Sequence, residues 1–276
     1  MEMTLAVALI MFVVGAVFGS FACCQAWRLH LKDTGKGKMA KSKWSVCMDC
    51  KYRLKWYDNI PVISWVVLRG KCRKCGKKIG GWEILSEVGL GVVFAVFGVW
   101  FYGNFASLII GNDMTWQLWV LAGLVMAMLV GFAILFIADA RWGRLPVGVL
   151  TFCIICAILF ATTREWGVFA VAQIWDYLGA LLVLPVLYYL LYKISGEKWV
   201  GSGDWLLALP IALVLGNFWL AFFCVFAANL MGCFVMIPVM MRKKKNMNMR
   251  VAFGPFLIVA FMIVFLAQEW VLGLMG

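Results

Sequence analysis

The chain is 276 residues long and 65% apolar, with a mean hydropathy of +0.95 and a formal charge of +12. An ordinary soluble domain is roughly half apolar, so the composition excludes one and calls for a polytopic helical membrane protein. The charge does not call for a nucleic-acid partner: 15 of the 25 Lys and Arg lie between Arg28 and Lys78, and five more lie in RKKKNMNMR over 242–250. That clustering is what the positive-inside rule produces.

The first predicted span covers 4–26. It begins MEMTL, with neither a basic n-region nor a small-residue cleavage site, and so reads as a retained span and not as a signal peptide. Gly15 and Gly19 stand four apart near its end, a spacing that lets helices approach closely. Residues 27–81 form the one sizeable polar insert, opening with the basic linker KDTGKGKMAKSK. Further spans are predicted over about 82–102, 116–137, 147–162, 172–192 and 204–216, then up to Met241, and finally over about 252–272. Of the connections, the loop at 103–115 with Asp113 and the TREWG loop with Arg164 read as external. The loops holding Arg141 and Arg144, KISGEKWVGSG, and the 242–250 run read as internal. With eight spans and both ends outside, 24 of the 25 basic residues fall on one face, Arg164 being the exception. The expected organisation is a first span (1–26), a cytosolic insert (27–81) and a seven-span core (82–276).

The insert carries two CxxC knuckles, Cys47 with Cys50 and Cys72 with Cys75, separated by 21 residues. Each knuckle can place two thiolates on one metal, and a pair completes a tetrahedral site, so a zinc-ribbon-like module is expected. The alternative is a pair of redox dithiols or disulfides, which the reducing side of a membrane disfavours. Cys23, Cys24, Cys153, Cys156, Cys224 and Cys233 lie in apolar runs and read as small buried hydrophobes. His30, the one histidine, has no Ser and Asp set around it.

Two acids stand at span ends. Asp139 closes the run GFAILFIAD, and Asp204 opens a run within GSGD, after Gly201 and Gly203. Ionisable groups at the edge of the hydrocarbon are costly and suggest function. Taken singly, Asp139 reads as a helix-end acid paired with Arg141 or Arg144, and Asp204 reads as an N-cap. Taken together, they can form a carboxylate pair that activates water. Glu87, about a turn inside the second span, reads as paired with a basic neighbour or as a contact for substrate or cofactor.

These features follow one another in a telling order: GSF late in the first span, the CxxC insert, an Asp seven residues before Pro146, GSGD, and a late FGPF. The order resembles the type IV prepilin peptidase family, membrane aspartyl proteases that process pilins and pseudopilins. CMDCKYRLKWYDNIPVISWVVLRGKCRKCGKKI is its most specific stretch. The resemblance makes Asp139 and Asp204 the catalytic pair and Gly201 and Gly203 the active-site loop. It makes Cys47, Cys50, Cys72 and Cys75 the ligands of a structural zinc. It further implies a prepilin or pseudopilin substrate held in the lipid bilayer, and a place in the cytoplasmic membrane with site and insert facing the cytosol. Methylation of the new N-terminus by S-adenosylmethionine is implied as well. Departures touch the last of these most: Cys23 stands where the family has Asn, Arg141 and Val147 where it has acids, and Leu206 where it has Lys. Two other classes compete with a peptidase. One is a non-catalytic assembly factor of a pilus or secretion machine. The other is a transporter with a proton relay, which two acids at one face disfavour.

Overall fold

The computed structural model describes residues 2–35, 44–47, 49–110, 116–164, 171–196, 200–242 and 252–273. The basic linker at 36–43, Asp113, the end of TREWG, Lys198 and the run 243–250 lie outside the described residues. Regular structure among the described residues is helical, apart from two isolated antiparallel bridges, Val46 with Arg53 and Lys71 with Lys78. Six helical runs are long and apolar enough to cross a membrane: Glu2–Asp33, Gly81–Phe105, Trp116–Trp142, Val147–Arg164, Ile174–Ser195 and Phe218–Pro238. Two shorter apolar helices, Ser202–Leu215 and Gly254–Leu266, fall where the two remaining spans are predicted. The chain is thus an all-α polytopic membrane protein, and it divides into two compact units, Met1–Met114 and Thr115–Gly276.

The first unit is built on α1 (Glu2–Asp33) and α3 (Gly81–Ile110), which pack along their lengths. At 32 residues α1 is about 48 Å long, more than the roughly 30 Å of hydrocarbon, so it carries Arg28, His30 and Lys32 beyond the apolar layer. Glycines set the closeness of the pair. A Cβ on Gly15 would lie 2.5 Å from the Leu90 carbonyl oxygen, and one on Gly19 would lie 2.7 Å from the Glu87 Cα. From the other side, a Cβ on Gly91 would meet the Phe12 ring at 2.9 Å. Without a hydrophobic drive between helices in lipid, such backbone contact is what holds them. Between the helices, the described residues of the insert contain a 3-10 turn (Trp56–Asn59) and the five-residue α2 (Ile63–Val67). The stretch between the knuckles is therefore turns and short helix, and each knuckle is closed by a single bridge in place of a ribbon of strands.

The second unit contains α4 (Trp116–Trp142), α5 (Val147–Arg164), α6 (Val171–Leu181), a π-helical turn (Leu182–Val186), α7 (Leu187–Ser195), α8 (Ser202–Leu215), α9 (Phe218–Arg242), α10 (Gly254–Leu266) and α11 (Gln268–Gly273). The π turn surrounds Pro185, whose missing N–H and ring interrupt the α-helical hydrogen-bond ladder there. The short helices α8 and α10 lie deepest. Leu207, Ala208, Ile211 and Ala212 of α8 are fully buried, as are Leu257 and Ala260 of α10. A helix apolar on every side and enclosed by others is a core element. The outer helices leave Phe152, Ile155, Phe226 and Phe234 exposed, a surface suited to lipid and not to water.

Arg164, the residue that broke the charge rule, has a structural partner: its guanidinium donates to the Val214 carbonyl at the C-terminal end of α8, at 3.3 Å. A cation there meets unpaired carbonyls and the negative end of the helix. Gly216 ends α8 at φ +59°, and the Asn217 Oδ1 then accepts from the Trp219 N–H at 2.9 Å to start α9.

The glycine seam predicts that Gly19→Val separates α1 from α3 and lowers the melting temperature of the purified protein by several degrees, since overpacking costs about 1–3 kcal/mol. Gly103→Ala, with no atom near its added Cβ, is the control and leaves melting unchanged.

Candidate active site and metal centre

The four knuckle cysteines converge. Their sulfurs all lie within 4.8 Å of one another, with Cys47 Sγ to Cys75 Sγ and Cys50 Sγ to Cys72 Sγ each at 3.9 Å. Tetrahedral thiolate bonds of about 2.3 Å space sulfurs about 3.8 Å apart, so the set can hold a metal ion. The same distances leave all four as free thiols, against the disulfide alternative. The turn of the second knuckle points N–H groups at its sulfurs; those of Cys75 and Lys74 bring the Cys72 thiol down to about 7. One ion pair joins the knuckles, and a second ties the second knuckle to the 3-10 turn. Lys77 beyond the second knuckle reaches Asp49 within the first at 2.5 Å, and Arg73 donates to the buried Asp58 at 2.7 Å. Asp58 also accepts from the Lys55 N–H at 3.2 Å.

Glu87 is buried, and its partner is not the basic neighbour expected. Its Oε2 accepts the Val62 N–H at 2.7 Å. Val62 sits at φ +64° and ψ −52°, the centre of a γ-turn that the Ile63 N–H closes on the Pro61 carbonyl at 2.6 Å. A β-branched residue is strained in that region, and such a turn persists only where its surroundings enforce it. Glu87 supplies that enforcement and ties the insert to α3.

In the second unit, Asp139 and Asp204 are buried at 6% and 7% exposure. Asp139 lies one turn before the end of α4, where Gly143 at φ +61° stops the helix and donates to the Asp139 carbonyl at 2.8 Å. The Asp139 Oδ2 accepts the Gly254 N–H, the first of α10, at 3.0 Å. Asp204 is the third residue of α8 and not its N-cap; Gly201 is the cap, and its N–H donates to the Asp204 Oδ2 at 2.9 Å. Each acid is thus held by backbone at the N-terminus of a short buried helix, where the helix dipole favours negative charge. Among the described residues neither acid makes an ion pair, and the Arg141 guanidinium lies over the Trp142 ring instead, 4.7 Å from its centre.

The two acids are also brought to one place. Gly203 accepts the Leu145 side chain, which would stand 2.7 Å from any Cβ there, and this seats the α4–α5 loop on the GSGD turn. A Cβ on Gly254 would lie 2.7 Å from the Asp139 Oδ2 and 3.5 Å from Leu207 of α8. The carboxyl groups of Asp139 and Asp204 are close enough for their charges to interact. Among the described residues no protein donor meets the Oδ1 of either acid. Two carboxyls whose charges interact, each with one oxygen held by a backbone N–H, have the chemistry to hold a water and pass a proton between them.

Sequence reasoning missed the roles of Gly254, Asp58 and Arg73. FGPF was noticed only as a motif; a glycine directly before Pro255, opening an apolar helix, is the signal that a close approach occurs there.

Residues 13–101 match the family model described as the bacterial peptidase A24 N-terminal domain. The prepilin leader peptidase/N-methyltransferase of Dichelobacter nodosus is 28% identical over 248 residues, covering 87% of this chain and 79% of that one. The Klebsiella pneumoniae protein of the same name is 28% identical over 207 residues, covering 75% and 84%. That of Neisseria gonorrhoeae is 30% identical over 228 residues, covering 82% and 71%. No solved structure matches the chain. Identity at that level along most of both sequences shows that the chain belongs to the prepilin leader peptidase/N-methyltransferase family.

Proposed function

We propose that this protein is an aspartyl endopeptidase of the cytoplasmic membrane that removes the short basic leader of a prepilin or pseudopilin. The observation that supports it best is the pairing of Asp139 and Asp204, both buried and each held by a backbone N–H at the start of a short core helix. The names of the relatives supply the substrate class. Segregation of the basic residues supports a cytosolic position for the acids and the insert. The work of cleavage belongs to Thr115–Gly276, within the expected core of 82–276.

In this reading one acid is ionised and takes a proton from the water between the two. The other is protonated and donates to the oxygen of the scissile carbonyl. Water attacks the carbonyl carbon as both protons move, giving a diol. As the C–N bond breaks, the first acid gives its proton to the leaving amine and the diol returns a proton to the second acid, which restores the pair. No bond forms between enzyme and substrate. Gly201 brings its backbone against the Asp204 carboxyl and Gly203 makes room for Leu145, so both glycines shape the turn that carries the acid.

The metal is proposed to be zinc, held by Cys47, Cys50, Cys72 and Cys75. Four thiolates close its shell, so it folds the insert and does not activate water. Methyl transfer from S-adenosylmethionine to the freed N-terminus is the second activity that the relatives' names support, and we place it in the first unit. Glu87, spent on Val62, is proposed as a positioning residue and not as a ligand of that cofactor.

Asp139→Asn and Asp204→Asn each preserve shape and are expected to lower cleavage of a purified prepilin by about 1,000-fold or more. Either variant cleaving near the wild-type rate in a gel-shift assay removes the assignment. Gly254→Ala, which crowds the Asp139 Oδ2, is expected to cost about 10- to 100-fold in the same assay. For the metal, elemental analysis should give about one zinc per chain, falling to none in Cys47→Ser, Cys50→Ser. That double variant is expected to lose labelled-methyl transfer more severely than cleavage. Equal loss of both, with the protein folded, assigns the insert to the peptidase site as well.

A further inference from the structure

The π turn at Leu182–Val186 carries one more residue than a regular turn, which rotates the facing of everything after it by about 100°. Of the two tyrosines that follow in α7, one packs beside an acid and the other beside the anchor of the second acid. The Tyr189 ring meets Trp205, the neighbour of Asp204, at 5.4 Å between centroids. The Tyr188 ring meets Phe253, the neighbour of Gly254, at 5.6 Å. Tyr188 is 3% exposed, and among the described residues its buried hydroxyl has no hydrogen-bond partner. The hydroxyl lies within electrostatic reach of Asp204. Asn229 of α9 stands near it, outside hydrogen-bonding geometry, with its own amide N–H given to the Val225 carbonyl at 2.8 Å.

A buried hydroxyl with no partner is destabilising, and Phe in its place would avoid that at nearly the same volume. The ring alone accounts for the packing on Phe253. The hydroxyl is accounted for if its partner arrives with the substrate. Resting on the peptidase reading above, we propose that the Tyr188 hydroxyl donates a hydrogen bond to the scissile carbonyl oxygen of the bound peptide, beside the Asp139–Asp204 pair. It is then a second donor to the oxygen on which negative charge develops, and a donor held ready in a dry site acts chiefly on the transition state. The opening of the carbonyl to a tetrahedral centre moves charge onto that oxygen; Tyr188 keeps its proton throughout.

The test is Tyr188→Phe in the full-length protein, in detergent, with a purified prepilin as substrate, beside Asp139→Asn in the same preparation. The expected result is a fall in kcat of about 10- to 100-fold with KM within about threefold of wild type. Melting should stay within about 2 °C of wild type or rise, because the variant removes an unsatisfied hydroxyl. A wild-type kcat in Tyr188→Phe overturns the proposal while an inactive Asp139→Asn leaves the peptidase assignment standing. A loss confined to KM overturns it too, since the contact would then be made equally in the ground state. A fall in melting that accompanies the fall in kcat makes the hydroxyl structural and likewise overturns it. If Asp139→Asn cleaves normally, the peptidase reading fails and this proposal fails with it.

Discussion

A carboxyl group buried among apolar helices needs something to offset the water it gives up. Here the offset is backbone. Asp139 and Asp204 are each met by the free N–H at the head of a short helix, α10 for one and α8 for the other. Those heads exist because the two helices start inside the protein. A helix that spans the full layer opens its unpaired N–H groups to water or headgroups; one that begins deep presents them to whatever faces it. Much of the second unit follows from that arrangement. The outer helices must enclose α8 and α10, glycine must stand where the acids come close, and Arg164 must satisfy the far end of α8.

Most of the architecture was legible in the sequence because apolar runs of sufficient length and the placement of Lys and Arg both follow from the bilayer. The eight predicted spans all fall on helices. Their ends were less legible. α1 continues to Asp33, past the apolar run, since nothing in its polar turns breaks a helix already nucleated. The knuckles could be read from cysteine spacing alone, but their ion pairs could not. Asp58 with Arg73 is a contact over 15 residues of irregular chain, for which no periodicity gives a signal. Glu87 illustrates the same limit. Its burial was foreseeable, and its partner was not, because a strained Val62 N–H leaves no mark on composition.

The motif residues that depart from the family pattern are side chains: Cys23, Arg141, Val147 and Leu206. The anchors of the two acids are backbone groups, which any residue can supply provided its φ and ψ are allowed and its Cβ is tolerated. Geometry at the acids is for this reason insulated from changes at those four positions, while it stays exposed to changes at Gly201 and Gly254.

The hold of Glu87 on the γ-turn has a mechanical meaning. A loop fastened only where it leaves one helix and enters the next can swing about the line through those two points. Val62 is fastened as well, to a residue six places inside α3. A further fastening restricts that swing and holds the insert to α3. The strain in the turn is the tension on that third fastening, and a small module with few buried residues gains from it a rigidity that its own core is too slight to provide.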